Sequence, residues 1–196
     1  IDNSSLELVE SLSKKRKSSL TMAPEAATSR LQSVINKQIS REELKNTVAE
    51  AFRRGWTTVK LYFMLGLPTE TDEDVAAIAH LINEIYELGK VSPGRRPQLR
   101  VTLSTFVPKA HTPFQWCAQI TTGEIIRRVR IVKDLVRYRQ VKISWHSAEL
   151  SILEAVLSRG DRRTGQAVYN AWFAGARFDG WDECFRQLDN PDVGRL

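Results

Sequence analysis

Four short segments hold the residues whose types and spacing could do chemistry, and each follows a hydrophobic run. They combine prolines, which restrict the backbone, with carboxylates, histidines and aromatic rings. Side chains of this kind beside a rigid turn can bind a flat, polar ligand. The four segments are APEAA (23–27), GLPTE (66–70), VPKAHTPFQW (107–116) and WHSAE (145–149).

The GLPTE segment carries the strongest candidate site. Gly66 allows the backbone to approach a ligand closely or to take a positive φ, and Pro68 fixes the turn that follows. Glu70 supplies a hydrogen-bond acceptor close to the start of a helix. This pattern leaves two interpretations open: the turn forms one wall of a ligand site, or it is an ordinary strand-to-helix turn that Glu70 caps.

The other segments allow the same two kinds of interpretation. Glu25 could accept hydrogen bonds from a ribose hydroxyl or an ammonium group, or it could only pair with Arg30 or Lys60. The 107–116 segment could bind a ligand or plug the end of a barrel, with His111 bonded to backbone. None of the three histidines pairs with another at metal-ligand spacing, so we expect no zinc or mononuclear iron site.

Strand-like and helix-like segments alternate along the chain, which predicts an α/β fold with parallel strands and right-handed crossovers. Open sheets and (β/α) barrels both fit this alternation, and both bind ligands at the carboxyl ends of their strands. The expected strands lie in SLTMAP (19–24), Val59–Leu65, LRVTLSTFV (99–107) and QVKISW (140–145). The expected helices are TSRLQSVINK (28–37), Arg41–Arg54, one that Thr71 caps, one that Thr122 opens, SAELSILEAVLSR (147–159) and two short ones around Gly175 and Gly180.

Local signals predict where several of these elements begin and end. Ser40 and Glu43 form a capping box, and Gly55 and Gly89 are each expected to end a helix. The two prolines that bracket KAHT (109–112) predict an extended loop after the third strand. The helix that begins at Thr122 has its expected apolar positions at Ile125, Ile126, Val129, Val132 and Leu135.

Composition and charge exclude several classes of protein. Of the 196 residues, 42% are hydrophobic and 27% charged, and no apolar run approaches the roughly 20 residues that span a bilayer. No secretory signal pattern is present, so we expect a cytoplasmic protein. The two cysteines, Cys117 and Cys184, cannot form a zinc ribbon or a complete iron-sulfur site by themselves. The net charge of +6 permits contact with RNA, but we interpret the basic runs SKKRK (13–17) and RRVR (127–130) as solvated faces.

Three segments in chain order resemble the C-terminal half of a radical S-adenosylmethionine (radical SAM) enzyme. They are SLTMAPEAATSRLQSVINK (19–37), VKLYFMLGLPTETDEDV (59–75) and STFVPKAHTPFQW (104–116). Within that superfamily, the chain resembles the Fe-S oxidoreductase subgroup that has an N-terminal cobalamin-binding-like domain. The tail ISWHSAELSILEAVLSRGDRR (143–163) resembles the same subgroup, so the resemblance covers nearly the whole chain.

This resemblance implies a fold and a reaction. Radical SAM enzymes have a partial (β/α)6 TIM-like barrel whose first half holds a [4Fe-4S] cluster on a Cys-x3-Cys-x2-Cys loop. The cluster binds SAM, and one electron cleaves SAM to methionine and a 5′-deoxyadenosyl radical that abstracts hydrogen from substrate. Because the chain lacks this triplet, the resemblance assigns residues 1–145 to barrel strands four to six and 146–196 to a helical C-terminal extension. The cluster ligands then lie outside the chain, and the subgroup makes cobalamin a further candidate cofactor.

The same resemblance assigns nine residues to the SAM site. In such enzymes strand four contacts the ribose or the methionine end of SAM, strand five contacts adenine through its backbone, and strand six lines the apolar side of adenine. The glutamate after strand five is one residue off the usual Gly-x-Ile-x-Gly-x-x-Glu spacing and better resembles the Gly-Phe-Pro-Gly-Glu form of methylthiotransferases. The assigned residues are Thr21 and Glu25 on strand four, Met64, Leu65, Gly66 and Glu70 at strand five, and Phe106, Val107 and Pro108 at strand six.

Two further functions and several partners stay open. The chain could be a docking module that grips a substrate or RNA through the arginines of SRGDRR (158–163), or those arginines could pair with nearby acidic residues. It could also be a non-catalytic scaffold. The expected partners are the upstream half of its own barrel, an unidentified substrate and other copies of the chain, because a half barrel exposes a strand edge. The arginines are Arg159, Arg162 and Arg163, and their candidate acidic partners are Glu149, Glu154 and Asp161.

Overall fold

A computed structural model of the protein describes residues 19–90, 97–177, 180–181 and 183–184. Over these residues it contains four strands and six helices. The strands are β1 (Leu20–Glu25), β2 (Thr58–Leu65), β3 (Gln98–Thr105) and β4 (Val141–Trp145). The helices are α1 (Ser29–Val34), α2 (Arg41–Arg53), α3 (Asp72–Lys90), α4 (Thr122–Leu135), α5 (Ala148–Arg159) and α6 (Arg163–Phe173).

The four strands form one parallel sheet in the order β1-β2-β3-β4. Each strand therefore pairs with its neighbour in the chain, and at least one helix precedes the next strand, which is the connection that parallel pairing requires. The predicted α/β fold with a parallel sheet is confirmed. This order is consistent with half of a TIM-like barrel, and the helices α5 and α6 follow it toward the C-terminus.

One face of the sheet is the hydrophobic core. Along β2, alternate residues from Val59 to Leu65 are at most 1% exposed, as the two-residue period of a strand requires. Apolar residues of α2, α3 and α4 pack against them, including Val48, Ile82 and Val132. The opposite face, called the polar face below, consists of the residues that alternate with the core positions. They are Thr21, Lys60, Tyr62, Met64, Arg100, Thr102, Ser104, Lys142 and Ser144.

The helix boundaries follow from local capping chemistry. The Ser40 hydroxyl accepts the Glu43 amide at 3.3 Å, which confirms the predicted start of α2. Gly55 follows the same helix with φ of 87°, the left-handed conformation expected of a terminating glycine. α4 begins at Thr122, as predicted, and Thr121 caps it by accepting the Glu124 amide at 3.3 Å.

The prediction that Gly89 ends α3 was wrong. The helix continues to Lys90. A Cβ atom at Gly89 would lie 2.5 Å from the Cβ of Pro97 and 2.9 Å from Cε2 of Phe52. Glycine is therefore required there for close packing rather than for a turn.

Two other local predictions need correction. The segment after β3 is a series of turns rather than an extended loop, because Gln115 N–H donates to the Thr112 carbonyl at 3.0 Å and His111 has φ of 62°. On α4, Ile126 and Leu135 are 39% and 38% exposed. Its buried stripe is narrower than predicted and consists of Ile125, Val129 and Val132.

The described residues fall into two compact units. One contains the sheet and comprises the described residues up to Phe106 together with Ile120–His146. The other comprises Val107–Gln119 and the described residues from Ser147 onward. Within the described ranges, no helix is both long and apolar enough to cross a membrane. The basic run 13–17 and most of the helix predicted around Gly180 lie outside those ranges.

Candidate functional site

The turn after β2 is held in an unusual conformation. Gly66 has φ of 86°, which side-chain-bearing residues rarely adopt. A Cβ atom there would also lie 2.7 Å from Cδ1 of Ile120. Both the backbone angle and the packing therefore require glycine at this position.

Glu70 closes this turn from inside the protein. Its Oε2 accepts the Gly66 amide at 2.7 Å, and its own amide donates to the Leu67 carbonyl at 3.0 Å. The Glu70 side chain is fully buried. The carboxylate therefore supports the Gly66 turn, as the resemblance to radical SAM enzymes implied.

Arg128 on α4 pairs with the same carboxylate. Its Nη1 donates to Glu70 Oε2, and its Nε donates to Glu124 Oε1 at 2.8 Å. The Arg128 side chain is only 11% exposed, so the pair is shielded from water. Hydrogen bonds from Arg127, and also from Arg128, lower the pKa of Glu124 to about 2.

Opposing effects act on the pKa of Glu70, and the net effect is a rise. Burial raises its pKa, while the Gly66 amide and the Arg128 charge lower it without cancelling the rise. Its Oε1 is buried and has no hydrogen-bond partner among the described residues. A proton on that oxygen would leave the bonds of Oε2 to Gly66 and Arg128 in place.

A second network joins the segments that follow β1 and β2. Asp74 Oδ1 accepts the Thr28 hydroxyl at 2.5 Å, and its Oδ2 accepts the Thr71 amide at 2.9 Å and pairs with Arg30. Although burial opposes it, hydrogen bonds from Thr28, Thr71 and Arg30 hold the pKa of Asp74 below its ordinary value. The network fixes the two strand ends with respect to each other.

Glu25 ends β1 in a strained conformation. Its φ is 65°, and the register between β1 and β2 shifts between Met22 and Glu25. The carboxylate pairs with Lys37 at 3.0 Å rather than with Arg30 or Lys60, the partners suggested by the sequence. β1 continues past Pro24 to Glu25, and the register shift places this proline in the irregular part of an edge strand.

An apolar cluster lies at the carboxyl ends of the strands. Its buried members are Ala26, Leu31 and Leu67, and the half-buried Met64 and Phe106 pack against them. Apolar surface of Met64 and Phe106 therefore lies at the strand ends beside the Gly66 turn. The Phe106 amide donates to the Leu65 carbonyl at 2.8 Å, which fixes this arrangement.

The remaining predicted site residues lie in different places. Leu65 is 1% exposed and belongs to the core, so only its backbone could face a ligand. Thr21 is exposed and is paired with Lys60 near the amino end of β1, away from the strand ends. Val107 and Pro108 belong to the second unit, where Pro108 is buried. The structure thus brings together Met64, Leu65, Gly66, Glu70 and Phe106.

The second unit contains the arginines of the docking interpretation. Arg163 pairs with Asp161 at 3.0 Å, as one alternative predicted, and Arg159 donates to the Cys117 carbonyl at 3.2 Å. Glu154 pairs with Lys109 instead of with an arginine. Exposed aromatic rings lie nearby on α6. They are Tyr169, Trp172 and Phe173, which are 55%, 73% and 77% exposed.

An iron-sulfur cluster does not fit the residues that the structure describes. These ranges contain no group of three His, Cys, Asp or Glu side chains that could hold a metal ion. The two cysteines are both free thiols. The strand ends offer half-exposed apolar surface of Met64 and Phe106 beside a rigid turn, which suits the face of a flat ring such as a purine.

Sequence reasoning missed Arg128. The RRVR run was interpreted as a solvated face, but Arg128 is largely buried against Glu70, and Arg127 pairs with Asp72 at 2.6 Å. A signal was available, because Arg128 lies three residues after Ile125 and four before Val132, on the apolar side of α4. Its partner could not be read from that spacing.

Comparisons with known proteins indicate the family. Residues 2–82 match the family model of the Radical SAM superfamily. The chain is also 29% identical over 143 residues to "Uncharacterized protein MJ0966" of Methanocaldococcus jannaschii, and this match covers 72% of the chain and 30% of that protein. No solved structure matches significantly. The subgroup with a cobalamin-binding-like domain stays a prediction, and the family match confirms the wider resemblance: residues 2–82 of this chain are similar in sequence to the Radical SAM superfamily.

Proposed function

We propose that the chain supplies one wall of an S-adenosylmethionine site in a longer radical SAM iron-sulfur enzyme. The observation that carries this proposal is the rigid Gly66 turn, held by Glu70 and Arg128, beside the apolar cluster at the carboxyl ends of parallel strands. Ligands of such folds bind at those strand ends. The family match supports the identity of the ligand.

The residues present would divide the binding of SAM between them. Met64 and Phe106 offer their half-exposed apolar surface to the adenine ring. Because the Gly66 amide is already bonded to Glu70, the backbone carbonyl groups from Met64 to Gly66 are the candidates for contact with the ring's edge. Glu70 acts as a positioning residue, because it touches the turn and not the ligand. Glu25, at the end of β1, is the candidate partner of a ribose hydroxyl or the amino group.

The cluster would come from outside this chain. When bound to a reduced [4Fe-4S] cluster, SAM supplies a 5′-deoxyadenosyl radical that abstracts hydrogen from a substrate. Since the chain corresponds to 30% of the length of its relative from Methanocaldococcus jannaschii, a longer protein has room for the cluster ligands. The chain by itself would be inactive.

Equilibrium binding of SAM to the longer protein tests this assignment. Replacing Phe106 with Ala should weaken SAM binding by about tenfold, since one large apolar contact is worth roughly 1.5–3 kcal/mol. The matched control is Phe173→Ala, which removes an exposed ring from α6. Equal affinities of the two variants, with unchanged iron content, would place the SAM site elsewhere.

A docking module for RNA is the second candidate function. The exposed rings of Tyr169, Trp172 and Phe173 favour it, because bases stack on such rings and Arg162 directly precedes the helix that carries them. Phosphate contacts weaken steeply with added salt. The test is binding of a single-stranded RNA. This function predicts that Trp172→Ala reduces binding and that binding weakens between low and physiological salt. Binding that is absent or independent of salt would exclude it.

A further inference from the structure

The polar face of the sheet carries a row of three cations. Lys60 on β2 is in register with Arg100 on β3, and Arg100 is in register with Lys142 on β4. Because neighbouring strands lie about 4.8 Å apart, the three side chains start side by side on one face. Within the described part of the chain, none of the three forms an ion pair, and the polar face contains no Asp or Glu.

This arrangement does not serve the stability of the sheet. Like charges directly opposite each other on paired strands are destabilising. Several cations elsewhere in the same unit have carboxylate partners, as Arg30 has in Asp74 and Arg127 has in Asp72. The row at Lys60, Arg100 and Lys142 therefore has a surplus of positive charge that an anion would neutralise.

A cavity of about 280 Å³ lies beside two of the three cations. Arg100 and Lys142 line it, and Lys60 is not among its lining residues. Its volume is just below the roughly 300 Å³ at which pockets for drug-sized molecules begin, and a phosphate or carboxylate group is far smaller than such a molecule. The other residues that line it are Pro97, Gln98, Leu99 and Gln140.

The chemistry of the polar face changes in steps along the strands. Two residues after the cation row comes a row of hydroxyl groups, in which Thr102 Oγ1 and Ser144 Oγ lie 3.3 Å apart and Tyr62 stands in register. Two residues further lies Met64, which belongs to the apolar cluster at the strand ends. At about 3.3 Å per residue, the cation row is roughly 13 Å from Met64.

We propose that Lys60, Arg100 and Lys142 bind the anionic end of the substrate, a phosphate or a carboxylate. The substrate then lies along the polar face, with hydroxyl contacts in the middle and its reacting end toward Met64, roughly 13 Å away. The location of that reacting end rests on the proposed function. The anion site itself rests only on the register, the charges and the cavity.

Calorimetric titration at low ionic strength tests the anion site, with inorganic phosphate, pyrophosphate and malonate as probes. Lys60→Gln, Arg100→Gln and Lys142→Gln should each weaken binding of the preferred probe by about tenfold, the loss of one charged hydrogen bond. Preference for phosphate or for malonate identifies the group. Arg130→Gln is the matched control, because it removes one exposed positive charge from α4 and should leave affinity unchanged.

Two further measurements keep the proposal falsifiable. The three variants should unfold at the same urea concentration as the wild type or a higher one, since they relieve repulsion. The longer protein should bind the same probe. Three results would each overturn the proposal. The wild-type chain does not bind the probe, or Arg130→Gln weakens binding as much as the three variants do. The third is that the longer protein does not bind the probe because its own carboxylates pair with the three cations. The titrations contain no SAM, so they can fail or succeed independently of SAM cleavage.

Discussion

The amide of Gly66 donates to Glu70 Oε2 over 2.7 Å, and Arg128 donates to the same oxygen. One buried carboxylate thus joins the strand end of β2, the start of α3 and the middle of α4. This contact makes the turn rigid before any ligand arrives. Such preorganisation reduces the entropy cost of binding.

Removing the Glu70 side chain should destabilise the protein strongly. Glu70→Ala leaves the Gly66 amide and the Arg128 guanidinium without this acceptor, which costs about 3–5 kcal/mol for a buried pair. Glu70→Gln keeps an acceptor and should cost less. Urea denaturation measures both, with the exposed Glu73→Ala as control. A loss below 1 kcal/mol for Glu70→Ala would contradict this role.

The burial of Glu70 predicts a specific pH dependence. Its pKa is raised above the unfolded value of 4.5, so the stability that its protonated form contributes is fully present below pH 4.5. That contribution is lost as the pH rises through the folded pKa. The free energy of unfolding of the wild type should therefore fall relative to that of Glu70→Gln as the pH rises above 4.5. A constant difference between the two curves would show that Glu70 does not titrate with folding.

Substitution of Gly66 should disturb the turn in two separable ways. Gly66→Ala introduces both strain at φ of 86° and a clash with Ile120. Adding Ile120→Ala, which removes both clashing carbons, should recover the part due to the clash when compared with Ile120→Ala alone, while the backbone strain stays. Gly123→Ala on α4 is the control, because a Cβ there meets nothing within 4 Å. Equal destabilisation by Gly66→Ala and Gly123→Ala would contradict the packing at the turn.

The isolated chain should self-associate. The strands β1 and β4 form the two edges of the described sheet, and unpaired strand edges are templates for pairing with another chain. Light scattering should show a mass that rises across micromolar concentrations. The longer protein, which would cover at least one edge, should associate less. A monodisperse monomer of the chain at every concentration would rule this out.

Local patterns predicted much of the fold and the turn. The four strands, the Ser40 cap and the terminating Gly55 each depend on a few neighbouring residues, and the structure contains all of them. The prediction for Gly89 was wrong because glycine is needed there to avoid a clash with Pro97 and Phe52, and both approach this position only in the folded chain. A glycine's conformational role can be read locally, whereas its packing role cannot.

The parts that sequence alone could not supply are long-range contacts. Glu70 and Arg128 are 58 residues apart, and Thr28 and Asp74 are 46 apart. The sequence contains several carboxylates that could pair with Arg128 or Thr28. The folded chain brings Glu70 to Arg128 and Asp74 to Thr28. The cation row is of the same kind, because Lys60, Arg100 and Lys142 become neighbours only through the strand register.

The most direct test of the central claim is the anaerobic cleavage of SAM by the longer protein. After reconstitution with iron and sulfide and reduction with dithionite, 5′-deoxyadenosine is measured by mass spectrometry in the wild type and in Phe106→Ala. We expect 5′-deoxyadenosine from the wild type and at least tenfold less from the variant at limiting SAM, with equal iron content. A fully formed cluster that yields no 5′-deoxyadenosine would contradict the proposed SAM site. Equal amounts of 5′-deoxyadenosine from both proteins would contradict it as well.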